Sequence, residues 1–215
     1  MSSLHALLGL SPSTQELTDA LASINSGNPA PDPEVKSYPD AVYFNYYPLG
    51  LSILFTPRNG YKPKIGLKYS DLDTGKLSLD SIDVYNVPKA KDPKKLARSG
   101  SSRSEIAYAT FPALPLAFAL ATDVKDKSGV VIKRPDSISI SVQSTGKDLV
   151  STLGEPDRKG GGAGPSSGSI GIWCEWSNDG IMIEFGGDEA RGPQAWERGK
   201  DAAWKVITIF KAKSS

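Results

Sequence analysis

Two stretches of this chain carry the same pattern about 130 residues apart, and no other feature constrains the fold as much. Residues 42–46 (Val-Tyr-Phe-Asn-Tyr) and 172–176 (Ile-Trp-Cys-Glu-Trp) place an apolar side chain at every second position. Each then passes a glycine, Gly50 or Gly180, into a second alternation, Leu51-Ser-Ile-Leu-Phe55 or Ile181-Met-Ile-Glu-Phe185. A period of two is that of a strand with one buried face, and the glycine supplies a turn, so two antiparallel hairpins are expected. A short helical pattern precedes each, Glu16-Leu17-Thr-Asp-Ala-Leu21 and Asp148-Leu149-Val-Ser-Thr-Leu153, aligned with a two-residue shift. The repeat is far longer than a solenoid period. The expected fold is α+β, two related modules, each a short helix packed on an antiparallel sheet. The modules span residues 1–88 and 137–215, and residues 89–136 form a basic linker and an apolar bridging segment. The competing explanation is chance likeness between two ordinary hairpins.

Local signals fill in the rest. Residues 14–24 read as a helix with Leu17, Leu21 and Ile24 on one face, Ser13 as N-cap and Glu16 three positions on. Residues 25–40, rich in Pro, Gly and Asn, read as loop. Strands are expected at 41–47, 51–55, 65–69, 79–85, 130–132, 137–142, 170–176, 181–185 and 204–210. A second helix at 147–153 is stopped by Gly154 and Pro156, and a glycine-rich loop runs from 158 to 168.

Composition removes several function classes. The 215 residues suffice for one sizeable core or two small ones, and 25 basic against 24 acidic side chains leave a net charge of +1. Such a balance exerts no global pull on nucleic acid or an anionic membrane. Cys174 is the single cysteine and His5 the single histidine, which excludes a disulfide framework, a thiolate cluster and a His-rich centre. No metal and no cofactor are expected. The opening apolar patch lacks a basic region and is broken by Ser11-Pro12-Ser13, and the run 111–121 is short and carries Pro112 and Pro115. Neither a signal peptide nor a membrane span is expected, and a cytoplasmic chain with reduced Cys174 is. Oligomeric state is left open.

Alternation also assigns faces. Val42, Phe44, Tyr46, Leu51, Ile53 and Phe55 pack beneath the first helix, and Ile172, Cys174, Trp176, Ile181, Ile183 and Phe185 beneath the second. The opposite face carries Tyr43, Asn45, Tyr47 and Leu54, then Trp173, Glu175, Met182 and Glu184. Aromatics and methionine on an open sheet face have the composition of a protein-binding hot spot. The expected function is therefore a non-enzymatic protein-binding or adaptor role. Tyr43, Tyr47 and Trp173 are the anchors, Glu175 and Glu184 give polar specificity, and Asn45 and Met182 complete the patch. Two alternatives stay open: this face packs against residues 111–120, or the chain is a small enzyme or ligand-binding accessory protein using carboxylates in a cleft between the modules.

Other chemistry is poorly supported. A nucleophilic site would have to recruit His5 from the terminus, and Cys174 falls on the core side. The 158–168 loop lacks the Gly-Lys-Ser/Thr ending of a phosphate loop. Lys89, Lys91, Lys94, Lys95, Arg98 and Arg103 read as a solvated linker, with docking or nuclear import as the alternative. Trp196 and Trp204 beside Arg191, Arg198 and Lys200 have the right types to stack on bases or sugars, but without a basic excess no nucleic acid is expected.

The helix ending in Leu153-Gly154-Glu155-Pro156, with the loop and hairpin after it, resembles the helix-plus-three-strand modules of the BamE and beta-lactamase-inhibitor-protein type. The latter is a tandem of two such modules. Locally, Ala41-Val-Tyr-Phe-Asn-Tyr-Tyr-Pro-Leu-Gly-Leu-Ser-Ile-Leu-Phe55 resembles a stretch of the phagosome assembly factor 1 family. These resemblances imply a protein-binding or adaptor role, with an association with autophagy for the second. They imply no catalytic residues.

Overall fold

The computed structural model describes residues 3–87, 107–122, 124–125, 128–162 and 171–213, and both alternating stretches form the expected hairpins. The basic residues Lys89, Lys91, Lys94, Lys95, Arg98 and Arg103 lie outside the described residues. The class is α+β. Ten strands are described: β1 (Glu34–Ser37), β2 (Val42–Tyr46), β3 (Leu51–Pro57), β4 (Leu77–Tyr85), β5 (Leu116–Ala119), β6 (Ser137–Ile140), β7 (Arg158–Gly160), β8 (Trp173–Trp176), β9 (Ile181–Phe185) and β10 (Trp204–Phe210). Eight of them form an antiparallel sheet in the order β1-β2-β3-β4-β10-β9-β8-β7, while β5 and β6 pair separately. Helices α1 (Gln15–Ile24) and α2 (Gly146–Leu153) are each followed along the chain by strands of this sheet, β1–β4 and β7–β10. A short helix, α3 (Ala195–Arg198), precedes β10.

The chain divides into two compact units. The first comprises Met1–Tyr85, Ala107–Pro112 and Thr208–Lys211, and the second has Ala113–Ile207 as its body. This division does not follow the expected 1–88, 89–136 and 137–215. Residues 107–112 join the first unit, the apolar segment after them joins the second, and β10 is divided between the two.

In the first unit α1 buries Leu17, Leu21 and Ile24, the stripe its spacing predicts. Its N-cap is Thr14 rather than Ser13, and no side chain caps it; the Thr14 hydroxyl donates instead to Ser11 O at 2.9 Å. Leu17 and Leu21 line one cleft with Tyr46, which puts the helix over the Val42, Phe44 and Tyr46 face. Gly50 closes the β2–β3 turn at φ +57°. A Cβ there would collide with Ala109 O and sit 2.8 Å from Phe111 N, so only glycine lets residues 107–112 cross at that point. That crossing is fixed by Ala109 N–H donating to Tyr47 O and Phe111 N–H to Tyr85 O, both at 2.9 Å.

Two expectations fail here. β1 lies inside the span read as loop, pairing Val35 with Phe44 and Ser37 with Val42. Residues 65–69 are not a strand, because their backbone is held by Ser37 instead. Leu67 N–H donates to its hydroxyl, which in turn donates to Lys64 O, each at 2.7 Å. Ile65 is left exposed.

In the second unit β5 and β6 pair Leu116 with Ile140 and Phe118 with Ile138, four buried side chains. Residues 130–132 make only the isolated bridge Lys125–Val131. At α2, Thr145 and Asp148 form a reciprocal capping box, and Leu149 and Leu153 are buried. Trp176 Nε1 donates to Gly154 O at 3.0 Å, tying the end of α2 to the Trp176 face of β8. β7 occupies the start of the span read as a glycine-rich loop, pairing Lys159 with Cys174; residues 163–168 of that span are not described.

The turn residue Asp179 does more than turn the chain. Arg134 grips it through Nη1–Oδ2 at 2.6 Å and Nη2–Oδ1 at 2.7 Å, with side chains only 3% and 1% exposed. The same guanidinium donates to Ala121 O and Leu153 O, and Asp179 accepts from Ala121 N–H.

Candidate functional site

The register of the sheet decides which side chains share a face. Val42, Phe44, Tyr46, Leu51, Ile53 and Phe55 are all buried, as are Ile172, Cys174, Trp176, Ile181, Ile183 and Phe185, so the core assignment agrees with burial. The opposite face is more mixed than its composition suggests. Asn45 is 5% exposed and Glu175 7%, while Tyr43, Tyr47, Trp173, Met182 and Glu184 are half-buried.

In the first unit Asn45 stands opposite Ser52. Its Oδ1 accepts from Ser52 Oγ at 2.8 Å and from Tyr108 OH at 2.7 Å. Tyr108 comes from the crossing segment, stacks on Tyr85 with ring centroids 3.8 Å apart, and meets the Tyr47 ring at 4.6 Å. Burial raises the Tyr108 phenol's pKa above its usual range, so the group stays a neutral donor to Asn45. Asn45 is thus a buried hub and not a contact residue. The covering segment is residues 107–111 and not the whole of 111–120. At the rim Tyr47 OH donates to Glu34 Oε1 at 3.2 Å, and Lys36 pairs with the same carboxylate oxygen at 3.2 Å. Tyr43 meets Tyr38 edge to face at 6.3 Å.

In the second unit Arg158, Glu175 and Met182 lie in one cross-strand row, and Gly160, Trp173 and Glu184 in the next. The Trp173 ring lies across Gly160, where a Cβ would come within 2.7 Å of the indole. Arg158 stands 6.0 Å from the Trp173 ring and binds Glu175 Oε2 at 3.0 Å. Ser177 Oγ donates to Glu175 Oε1 at 2.6 Å. Glu184 is held by Lys205 of β10 at 3.4 Å. The two carboxylates share a face as expected, and each is paired with its own cation.

The other candidate groups are accounted for individually. Cys174 is buried, and burial pushes its thiol up to about 11, far from a reactive thiolate. His5 sits in a single 3-10 turn, Leu4–Leu7, rather than a frayed end. Among the described residues no group of three or more His, Cys, Asp or Glu is placed to hold a metal ion, and no helix is long and apolar enough to cross a membrane. Trp204 is buried with its Nε1 donating to Ser141 O at 2.7 Å, so it cannot stack on a base. Trp196 remains exposed with Lys159 Nζ 5.6 Å from its ring.

Sequence reasoning missed Tyr108, Arg158 and Lys205. Tyr108 lies in no periodic segment, and Arg158 sits in a strand of three residues. Lys205 follows Trp204 in a largely apolar strand, 21 positions from the Glu184 it meets. No family model, curated protein or solved structure matches the chain.

Proposed function

We propose that this protein is a non-enzymatic recognition protein that binds a protein partner through the sheet face opposite its helices. In the second unit, Trp173 and Met182 are its anchors. The observation that carries the reading is the pairing of the charges around them. Arg158 with Glu175 and Lys205 with Glu184 are already neutralised within the fold. A partner covering Trp173 and Met182 therefore gains apolar contact without stripping water from isolated ions. The sheet ends favour the face over the edge. β1 presents Glu34 and Lys36 and β7 presents Arg158 and Lys159, each on a strand of four residues or fewer, which discourages addition of a foreign strand.

In the first unit Tyr43 and Tyr47 offer a second, smaller aromatic surface beside the buried Asn45. The two helix-and-four-strand runs are copies of one module in this reading; the matched burial of Val42 with Ile172, Tyr46 with Trp176 and Phe55 with Phe185 supports it. An adaptor role in autophagy or vesicle-related processes rests on the resemblance of residues 41–55 alone. The test is affinity purification with mass spectrometry from the native cell, comparing wild type with the double variant Trp173→Ala/Met182→Ala. The expected result is a stoichiometric companion that the double variant loses while its melting temperature falls by no more than about 3 °C, on the order of 1 kcal/mol for a chain of this size. A companion kept by both proteins, or none with the wild type, overturns the proposal.

A further inference from the structure

From Arg58 to Tyr69 the loop joining β3 to β4 carries four cations, Arg58, Lys62, Lys64 and Lys68, and no carboxylate, in a chain whose net charge is only +1. All four residues are exposed, and none has an ion-pair partner among the described residues. Glu34 and Asp73 are already taken by Lys36 and Lys76. Asp71 of the same loop and Asp40 of the β1–β2 turn still leave four cations against two carboxylates.

Ile65 stands inside this run and is 73% exposed, the most of any large apolar side chain among the described residues. Its backbone is fastened on both sides by one residue. Ser37 O accepts from Gly66 N–H at 3.2 Å, while the Ser37 hydroxyl accepts from Leu67 N–H and donates to Lys64 O, each at 2.7 Å. Pro63 before it is buried, and Gly66 after it takes φ +79°. The side chain is therefore held outward, and turning it into the core means breaking these bonds. Tyr69, 46% exposed, closes the run with an aromatic ring. A lone exposed apolar side chain is ordinary on a protein surface. One held out by a fastened backbone between unpaired lysines is not.

We propose that residues 58–69 are a contact site for an anionic lipid surface, with Ile65 entering the boundary between headgroups and acyl chains and Lys62, Lys64 and Lys68 lying among the headgroups. Lysine suits this place, because its stem follows apolar surface while its ammonium stays with the anions. A fluid headgroup layer adapts to a protruding isoleucine, whereas a folded protein needs a pocket built for it and a nucleic acid offers no aliphatic medium. One inserted side chain and a few basic residues give weak, reversible attachment that needs both signals together. The site shares no residue with the Trp173 and Met182 surface and does not depend on it.

The full chain is sedimented at low salt with vesicles of phosphatidylcholine alone and of phosphatidylcholine mixed with phosphatidylserine. Binding is expected to the mixed vesicles only. The triple variant Lys62→Gln/Lys64→Gln/Lys68→Gln is expected to weaken it about a hundredfold, at about fivefold for each lysine near the surface. Ile65→Ser is expected to weaken it about tenfold with the melting temperature unchanged, because the side chain is exposed in the fold. A single-stranded DNA oligonucleotide titrated in parallel separates the other polyanion. No binding to the mixed vesicles, equal binding to the neutral ones, undiminished binding in either variant, or an oligonucleotide held more tightly than the vesicles overturns the proposal.

Discussion

Arg134 concentrates much of the second unit's polar structure in one side chain. Its guanidinium forks onto Asp179 and also serves Ala121 O and Leu153 O, with nothing left to solvent. Removing one member of such a pair leaves an uncompensated buried charge. Arg134→Ala is therefore expected to cost about 3–5 kcal/mol. Arg134→Met combined with Asp179→Leu should cost less than the sum of the two single changes, because the second removes the charge that the first orphans. Urea denaturation of wild type and of these four variants checks both statements. Locally, Asp179-Gly180 reads as turn chemistry, and no short window of sequence singles out Arg134. A pair separated by 45 positions leaves no periodic trace, so this most buried ion pair was invisible until the chain was folded.

At the scale of elements, α2 depends on its first turn. Asp148 accepts from Thr145 N–H at 2.9 Å and from its hydroxyl at 2.8 Å, and these bonds hold its carboxyl below the usual range, the backbone bond most. A carboxylate with a depressed folded pKa stabilises the fold above its unfolded pKa, and that contribution disappears as pH falls through the folded value. Asp148→Asn should accordingly melt below wild type at neutral pH and converge with it in strong acid, while Thr145→Ala costs about 1 kcal/mol. Melting temperatures across the acid range test this. The hairpins were legible because their strands bury one face, which writes a period of two into residues 42–55 and 172–185. β1 and β7 were not. They are short end strands bearing Glu34, Lys36, Arg158 and Lys159, and their pairing is dictated by β2 and β8 rather than by their own pattern. Residues 65–69 misled for the opposite reason, since Ser37 takes the backbone groups a strand would use. On the candidate face, alternation puts Tyr43, Tyr47, Trp173, Met182 and Glu184 on the side opposite the buried set, and all five are half-buried. It could not show that Asn45 lies under Tyr108 or that Arg158 and Ser177 take the oxygens of Glu175, because parity gives the side of a sheet and not what covers it.

At the scale of the whole molecule, the division of β10 matters most. Trp204–Phe210 begins in the second unit, and Thr208–Lys211 belongs to the first, where the Thr208 hydroxyl donates to Asp83 Oδ1 at 2.7 Å. A chain ending at Ala203 removes a strand from both units together. It is expected to lose near-UV circular dichroism and any cooperative urea transition, whereas a sharp transition in the truncated chain would show that one unit is complete without β10. Composition gave no hint of this sharing, because the last strand is apolar along most of its length and names no partner. There is a consequence for biosynthesis. The first unit's main stretch ends at Tyr85, yet its closing residues begin at Thr208, 123 positions later. At about 5–20 residues per second, a ribosome needs roughly 6–25 s to supply them. For that interval β4 lacks the neighbour that β10 provides in the sheet.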